Sequence, residues 1–231
     1  MLIDKVYSAV SQLANKDQVS GNLTPVEFNR YIELAQRDYI EENYNPKNKL
    51  GYESDFKNTD DLSDLKTPTS LTVLSGRATV PTDYLHFSSA YGTYVFGNRG
   101  RVTPIELVRE GEWAERLASE VNAPSSTFPI MKSMGSYFEV YPQGTPNINL
   151  TYLKMPLQPW WNYTLSGSTP VFSSAAGTVT NPNSGVASGA STDITLGESA
   201  YNSLVQKILK YIGIEIREQD LYAMAQQEQN D

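Results

Sequence analysis

The segment that most decides the fold closes the chain: residues Ile194 to Asp231 read ITLGESAYNSLVQKILKYIGIEIREQDLYAMAQQEQND. Apolar side chains recur in this segment at helical spacing, which predicts an amphipathic helix with one apolar face. These residues are Tyr201, Leu204, Val205, Ile208, Leu209 and Ile212, and, after Gly213, Ile214, Ile216, Leu221 and Met224. Such a helix cannot be stable alone, so it must pack against the rest of the chain or a second molecule.

Two more amphipathic helices are predicted at the beginning of the chain. The first runs from Leu2 to about Asn15. The stretch Thr24-Pro25-Val26-Glu27 predicts the start of the second, because Thr24 suits the N-cap, Pro25 the first helical position and Glu27 the capping-box partner. The second helix is expected to run to about Asn43, before Asn45-Pro46. Helices at both ends of the chain predict a small bundle.

The middle of the chain has the composition of β-structure. Strands rich in β-branched and aromatic residues are predicted over 71–74, 78–80, 90–96, 128–131, 137–142 and 148–153. The last two are expected to pair antiparallel, and residues 97–100 are expected to form a hairpin turn. For residues 101–108 a capping box at Thr103 competes with a strand. We favour a strand to about Val108, followed by a short helix over 111–119 that carries Trp113.

The predicted fold class is therefore α+β: a helical bundle built from the N- and C-terminal helices and joined to an antiparallel β-rich domain. Residues 1–66 form the N-terminal helical part, and residues 67–163 form the β-rich domain with its short helix. Residues 164–197 are rich in Ser, Gly and Thr and are expected to form a loop, or a projecting hairpin that includes Phe172, Val179 and Val186. Residues 198–231 complete the bundle and act as a docking arm.

Composition excludes several classes of protein. The chain has 231 residues and a net charge of −8, which disfavours tight binding to nucleic-acid phosphates. It contains no cysteine, so disulfides and cysteine-based chemistry are ruled out. No apolar run approaches the length needed to span a bilayer, and the N-terminus does not look like a signal peptide. We expect a soluble protein made in a cytoplasm. Its 15 tyrosines and three tryptophans suit either a sheet core or protein interfaces.

Residues that catalyse reactions or hold cofactors are scarce. The one histidine, His86, has apolar, strand-like neighbours and is expected to be structural. The acidic stretch Asp60-Asp61-Leu62-Ser63-Asp64 lacks the spacing of a calcium-binding loop, which favours a solvated loop or helix cap. Glutamates crowd one region and are expected to form the solvated side of a helix; they are Glu106, Glu110, Glu112, Glu115 and Glu120. We predict no catalytic, cofactor-binding or metal-binding residues, and no enzyme.

Five stretches, taken in their order, resemble a known family. They are NLTPVEFNRYIELAQRDYIEE (22–42), VPTDYLHF (80–87), TPIELVREGEWAERLASEVNAPSSTFPI (103–130), YFEVYPQG with INLTYLKMPLQPWW (137–161), and IGIEIREQDLYAMAQ (212–226). Together they resemble the ring or adaptor proteins between portal and tail in short-tailed bacteriophages, most of all those of crAss-like phages. The stretches 46–79 and 164–197 lie outside the resemblance.

The resemblance implies a non-enzymatic structural protein of the virion, located at the head–tail interface and made in the host cytoplasm. Such a protein forms a homo-oligomeric ring, expected to be dodecameric, that docks to the portal protein and contacts adjacent tail or ring proteins. Genomic DNA passes through the lumen without specific binding, and no membrane is involved.

A rival interpretation is a β-sandwich module that binds carbohydrate or a receptor on a phage tail. In that case Trp160, Trp161 and nearby tyrosines would stack on sugar rings. Because these tryptophans lie between two prolines, they could equally form a wedge under the helical bundle. We favour the wedge, since a sugar-binding sandwich has no need of three amphipathic helices. A third alternative, a glycosidase that uses the glutamate cluster, would release sugar from polysaccharide.

Overall fold

A computed structural model describes residues 1–14, 23–44, 61–96, 99–145, 147–167, 169–174 and 190–213. The chain divides into two compact units. Met1–Asp64 and Pro156–Asp231 form the first, which we call the helical unit, and Leu65–Met155 form the second, which we call the β unit. The predicted α+β fold class is confirmed: helices from both ends of the chain share one unit, and a β-rich unit is inserted between them.

The helices and strands have the following bounds. The helices are α1 (Ile3–Ala14), α2 (Pro25–Tyr44), α3 (Glu110–Ala118) and α4, in which residues 201–213 are helical. The strands are β1 (Lys66–Leu71), β2 (Arg77–Thr79), β3 (Tyr84–Phe96), β4 (Arg99–Pro104), β5 (Glu106–Leu107), β6 (Ile130–Ser133), β7 (Tyr137–Tyr141), β8 (Ile148–Lys154), β9 (Tyr163–Ser166) and β10 (Thr169–Phe172). Single 3-10 turns cover Ser63–Leu65 and Glu198–Ala200.

The predicted start of α2 is confirmed by its hydrogen bonds. The backbone N–H of Glu27 donates to Thr24 Oγ1 (3.3 Å), and the backbone N–H of Thr24 donates to Glu27 Oε2 (2.8 Å). Each residue thereby satisfies a backbone donor that the first turn of a helix leaves unpaired. Pro25 occupies the first helical position, where its missing N–H costs nothing.

Aromatic contacts and an ion pair hold α2 against α1 and α4 in the helical unit. The ring of Tyr7 in α1 meets the ring of Phe28 edge to face, with centroids 5.0 Å apart. Tyr211 in α4 stacks on Tyr31 at 6.2 Å. Lys207 Nζ lies 2.7 Å from Glu42 Oε1. The apolar face predicted for α4 is buried at Leu204, Val205 and Ile208, whereas its continuation beyond Gly213 lies outside the described residues.

The β unit contains two four-stranded sheets. The first has the strand order β1-β8-β3-β4 and is antiparallel throughout; the second has the order β2-β7-β6-β5. Their inward-facing side chains form one apolar core, as in a β-sandwich. The buried members of this core are Ala78, Ala90, Ile105, Met131, Phe138, Val140, Ile148, Leu150 and Tyr152.

The prediction that the strands at 137–142 and 148–153 pair with each other is wrong. β7 pairs with β2 and β6, whereas β8 pairs with β1 and β3 in the other sheet. Thr145 in the connection between them is buried, accepts a hydrogen bond from Tyr94 OH (3.1 Å), and donates to Pro142 O (2.5 Å). The alternation of apolar and polar residues correctly predicts that each strand has one buried face. It does not show whether the two strands are neighbours in one sheet or lie in two sheets that face each other.

One pair of strands is parallel, although an antiparallel domain was predicted. β5 and β6 pair parallel, with Glu106 opposite Ile130 and Leu107 opposite Met131. A parallel pair needs a crossover, which α3 and the residues after it supply. The chain changes sheets at Ile105, whose backbone N–H donates to Ala90 O (2.9 Å) in the first sheet. The adjacent N–H of Glu106 donates to Pro129 O (3.2 Å).

Several strand boundaries differ from the predictions, among them that of β6, which covers Ile130–Ser133 instead of 128–131. β1 covers 66–71 instead of 71–74, and its polar residues pair with β8 from Lys66 opposite Leu153 onward. Residue propensities for β-structure did not predict β1, because its polar residues are held in a strand by their pairing with β8. β3 begins at Tyr84, six residues earlier than predicted. The hairpin turn predicted at 97–100 falls partly outside the described residues, but its flanks, Phe96 and Arg99, do face each other.

The segment after β8 also differs from the prediction. The β-rich domain was expected to extend to residue 163, whereas residues from Pro156 onward belong to the helical unit. Part of the predicted loop 164–197 is the hairpin β9–β10, which includes Phe172. Another part, 190–197, reaches the core, since Ile194 and Leu196 are fully buried. Val179 and Val186 lie outside the described residues.

The two ends of the stretch 175–189 lie close together. Ser191 Oγ donates to Ser173 O (2.8 Å), and the backbone N–H of Ser173 donates to Asn162 O (3.0 Å). A short linker can therefore span this gap.

We expect that replacing 175–189 with four Gly/Ser residues leaves the fold intact and stabilises it by about 1 kcal/mol, because a shorter loop costs less entropy to close. Urea unfolding followed by circular dichroism measures the change. Replacing all of 164–197 serves as the comparison, and it should unfold the helical unit because Ile194 and Leu196 are lost. If the chain with 175–189 replaced does not fold, the conclusion that a short linker can join residues 174 and 190 is wrong.

Candidate functional site

Trp161 is the centre of the helical unit's packing. Its side chain is 1% exposed and stacks on Tyr7 of α1 with ring centroids 3.8 Å apart. The rings of Tyr163 (5.7 Å) and Phe172 (6.1 Å), from the β9–β10 hairpin, pack near it. The indole Nε1 donates to Asp4 Oδ1 (3.0 Å), so the polar atom of this buried ring is satisfied. One side chain thus joins α1 to the segment that follows the β unit.

Asn29 of α2 holds the backbone of Trp161. Its Nδ2 donates to Trp161 O (3.1 Å), and its Oδ1 accepts from the backbone N–H of Trp161 (2.8 Å). The amide therefore pairs with both polar backbone groups of one residue, as a neighbouring strand would. Asn29 is buried, and without it both groups of Trp161 would lack these partners.

The segment before α4 is fixed to the beginning of α1. Asp193 Oδ1 accepts from the backbone N–H of Ile3 (3.0 Å), which caps the helix. The backbone N–H of Ile194 donates to Met1 O (3.1 Å). Gly197 lies so near Asp64 that a Cβ at its position would be 2.7 Å from Asp64 Oδ2, so a larger residue would displace the Asp64 side chain.

The structure decides between the two interpretations of the tryptophan pair. Trp160 is 5% exposed and Trp161 is 1% exposed, so neither ring offers a face for a sugar to stack on. Burial is also the main cause that raises the pKa of the Tyr7 hydroxyl, with the nearby Tyr163 and Asp4 adding to it. This environment fits the wedge interpretation, which the sequence analysis favoured because of the three amphipathic helices.

His86 lies in β3, half-buried, opposite Leu153 of β8 and beside an irregularity in the pairing. Of the acidic stretch at 60–64, Asp60 lies outside the described residues. Burial raises the pKa of Tyr39, and the nearby Asp61 raises it further. Within the described ranges, no group of three or more potential metal ligands comes together.

The glutamate cluster of the β unit is engaged in ion pairs around α3. Arg116 Nη2 lies 3.2 Å from Glu106 Oε2 and 3.1 Å from Glu112 Oε1. Lys132 Nζ lies 3.1 Å from Glu110 Oε1 and rests over the ring of Trp113 at 5.0 Å. Glu115 and Glu120 are exposed. Through these ion pairs, Glu106, Glu110 and Glu112 hold α3 against the second sheet.

A groove of about 580 Å³ opens beside β4 in the β unit. β4 forms one wall, β5 and Arg116 of α3 form another, and the residues between α3 and β6 complete it. Sequence reasoning did not find this groove, because its walls come from segments up to 29 residues apart, from Arg101 to Ile130. The exposed apolar side chains Val102 and Phe128 at its rim were the available signal.

In comparison with known proteins, no family model matches the chain and no curated protein matches its sequence. Over the residues that the structure describes, no helix is both long enough and apolar enough to cross a membrane.

The wedge can be tested through unfolding stability. We expect Trp161→Ala to lower the free energy of unfolding by about 3–5 kcal/mol, because it empties a fully packed site. Asn29→Ala should lower it by about 1–3 kcal/mol for each backbone group left unpaired. Arg30→Ala, at the exposed position next to Asn29, should change it by less than about 0.5 kcal/mol. Equal effects for Asn29→Ala and Arg30→Ala in urea unfolding would contradict the role of Asn29.

Proposed function

We propose that this chain is a non-enzymatic structural protein of a short-tailed bacteriophage virion. It forms a ring, dodecameric as the resemblance implies, that docks to the portal protein, extends the DNA channel and connects head to tail. The observation that carries the proposal is the helical unit built from both ends of the chain with a β unit inserted between them. This is the architecture that the resemblance to the adaptor proteins implies.

Charge and the state of the polar side chains support the same function. The net charge of −8 lets DNA pass without tight contacts to its phosphates. The glutamates that a glycosidase would need as acid and nucleophile are bound to Arg116 and Lys132. The tryptophans that a carbohydrate-binding module would present are buried in the wedge. Neither alternative has a specific observation in its favour.

A ring also requires two different surfaces on each subunit. Neighbours in a closed ring meet through unlike faces, so a surface on one copy must contact a different surface on the next. Residues 214–231, which follow the described part of α4, are the arm in this proposal. They reach the neighbouring copy or the portal.

The first test is assembly. The purified chain is expected to be a monomer by mass in solution, and to add a symmetric ring beneath its portal when the two are mixed and imaged by electron microscopy. The image then supplies the copy number. A chain that ignores the portal and binds host polysaccharide instead would overturn the proposal.

Deleting residues 214–231 should leave a folded monomer that no longer joins the portal, because the arm is lost and the core remains. Circular dichroism checks the fold, and co-sedimentation with the portal checks the docking. The matched control is the variant shortened at 175–189, which removes a stretch of similar length and should still dock. Docking by the chain without 214–231 would refute the assignment of the arm.

A further inference from the structure

The groove beside β4 has an open strand edge as one wall. β4 is the last strand of the first sheet and pairs, among the described residues, with β3 alone. Among the described residues, therefore, no strand pairs with the side of β4 that faces away from β3. Pro104, which lacks an N–H, ends this strand, as is common at sheet edges. An exposed edge of this kind is a place where another chain can be added.

The lining combines apolar surface with an unpaired positive charge. Phe128 is 73% exposed and Val102 is 62% exposed, a large apolar area for a site that faces solvent. Arg101, exposed at the same wall, forms no ion pair with any described residue, whereas Arg116 and Glu106 neutralise each other. The groove thus offers a positive charge beside apolar side chains.

A buried hydroxyl in the wall lacks a partner. Thr103 is 2% exposed, and its Oγ1 has no hydrogen-bond partner in the described part of the chain. An unpaired buried hydroxyl costs about 1–3 kcal/mol. Because this oxygen is itself buried, a ligand in the groove does not reach it unless the strand moves.

We propose that this groove binds residues 214–231 of a second copy of the chain. The inference rests on the proposed function, because a ring supplies a second copy whose arm needs a receptor. The arm begins Ile214-Glu215-Ile216 and contains five acidic residues and one basic residue. Its carboxylates complement Arg101, and its isoleucines and leucine complement Val102 and Phe128.

The charge pattern favours this occupant over a nucleic acid. The whole chain carries −8, and a groove with one free arginine is too weakly positive to hold a phosphate backbone. An acidic arm with apolar side chains needs only one such charge for orientation, because apolar burial supplies most of the affinity.

A peptide titration tests the proposal. A fluorescently labelled peptide of residues 214–231 is titrated with the full chain, and anisotropy reports binding. We expect saturable binding that Arg101→Glu weakens about tenfold, since it replaces attraction with repulsion. Val102→Asp should weaken it by a similar factor. Leu74→Asp, at an exposed turn of the same unit, is the matched control and should leave the affinity unchanged.

A charge-swapped peptide separates specific pairing from general stickiness. A peptide with Lys in place of Glu215, Glu218 and Asp220 should bind the Arg101→Glu chain more tightly than it binds the natural chain. This reversal isolates the pairwise interaction. Absence of saturable binding, or equal affinities for the natural, Arg101→Glu and Val102→Asp chains, would overturn the inference.

Electron microscopy of the same variants distinguishes the inference from the function on which it rests. Rings that form on the portal although the peptide does not bind would refute the groove as receptor and leave the adaptor function standing. Peptide binding with the expected variant pattern, but no ring on the portal, would refute the adaptor function and leave contact between copies through the groove.

Discussion

The interaction on which the helical unit depends is the burial of Trp161 between α1, α2 and the β9–β10 hairpin. The ring of Trp161 stacks on Tyr7. Its indole N–H donates to Asp4, and its backbone N–H and C=O both pair with the Asn29 amide, so every polar atom of Trp161 has a partner. A large ring excludes water from the site, which strengthens the hydrogen bonds around it. Because Trp161 follows the β unit in sequence, this packing also determines where the chain rejoins the helices.

The same geometry explains why the β unit can be inserted without disturbing the bundle. The chain leaves the helical unit after Asp64 and returns at Pro156. On each side of this insertion, the chain contacts other residues of the helical unit. Asp64 meets Gly197, and Gln36 Nε2 donates to Leu157 O (3.0 Å). The β unit has its own apolar core, so each unit is stabilised by its own packing.

The polar groups of the described residues are largely committed to structure. Arg116 and Lys132 form ion pairs with the glutamates around α3. Burial, and after it the hydrogen bond to Asp38, raises the pKa of Tyr211 to about 12. This tyrosine therefore stays protonated and continues to donate to Asp38 at any physiological pH. In the described part of the chain, the groove beside β4 keeps exposed apolar side chains next to Arg101, which forms no ion pair there.

The sequence by itself determined the elements whose signals are local. The capping box at Thr24 and Glu27, the apolar face of α4, and α3 with Trp113 are set by neighbours within a few residues, so spacing and propensity sufficed. Tertiary structure decided everything that depends on long-range partners: the separation of β7 and β8 into two sheets, the strand β1, the burial of Trp160 and Trp161, and the groove beside β4. Alternation of apolar and polar residues predicts that one face of a strand is buried. Which element covers that face is determined by tertiary packing.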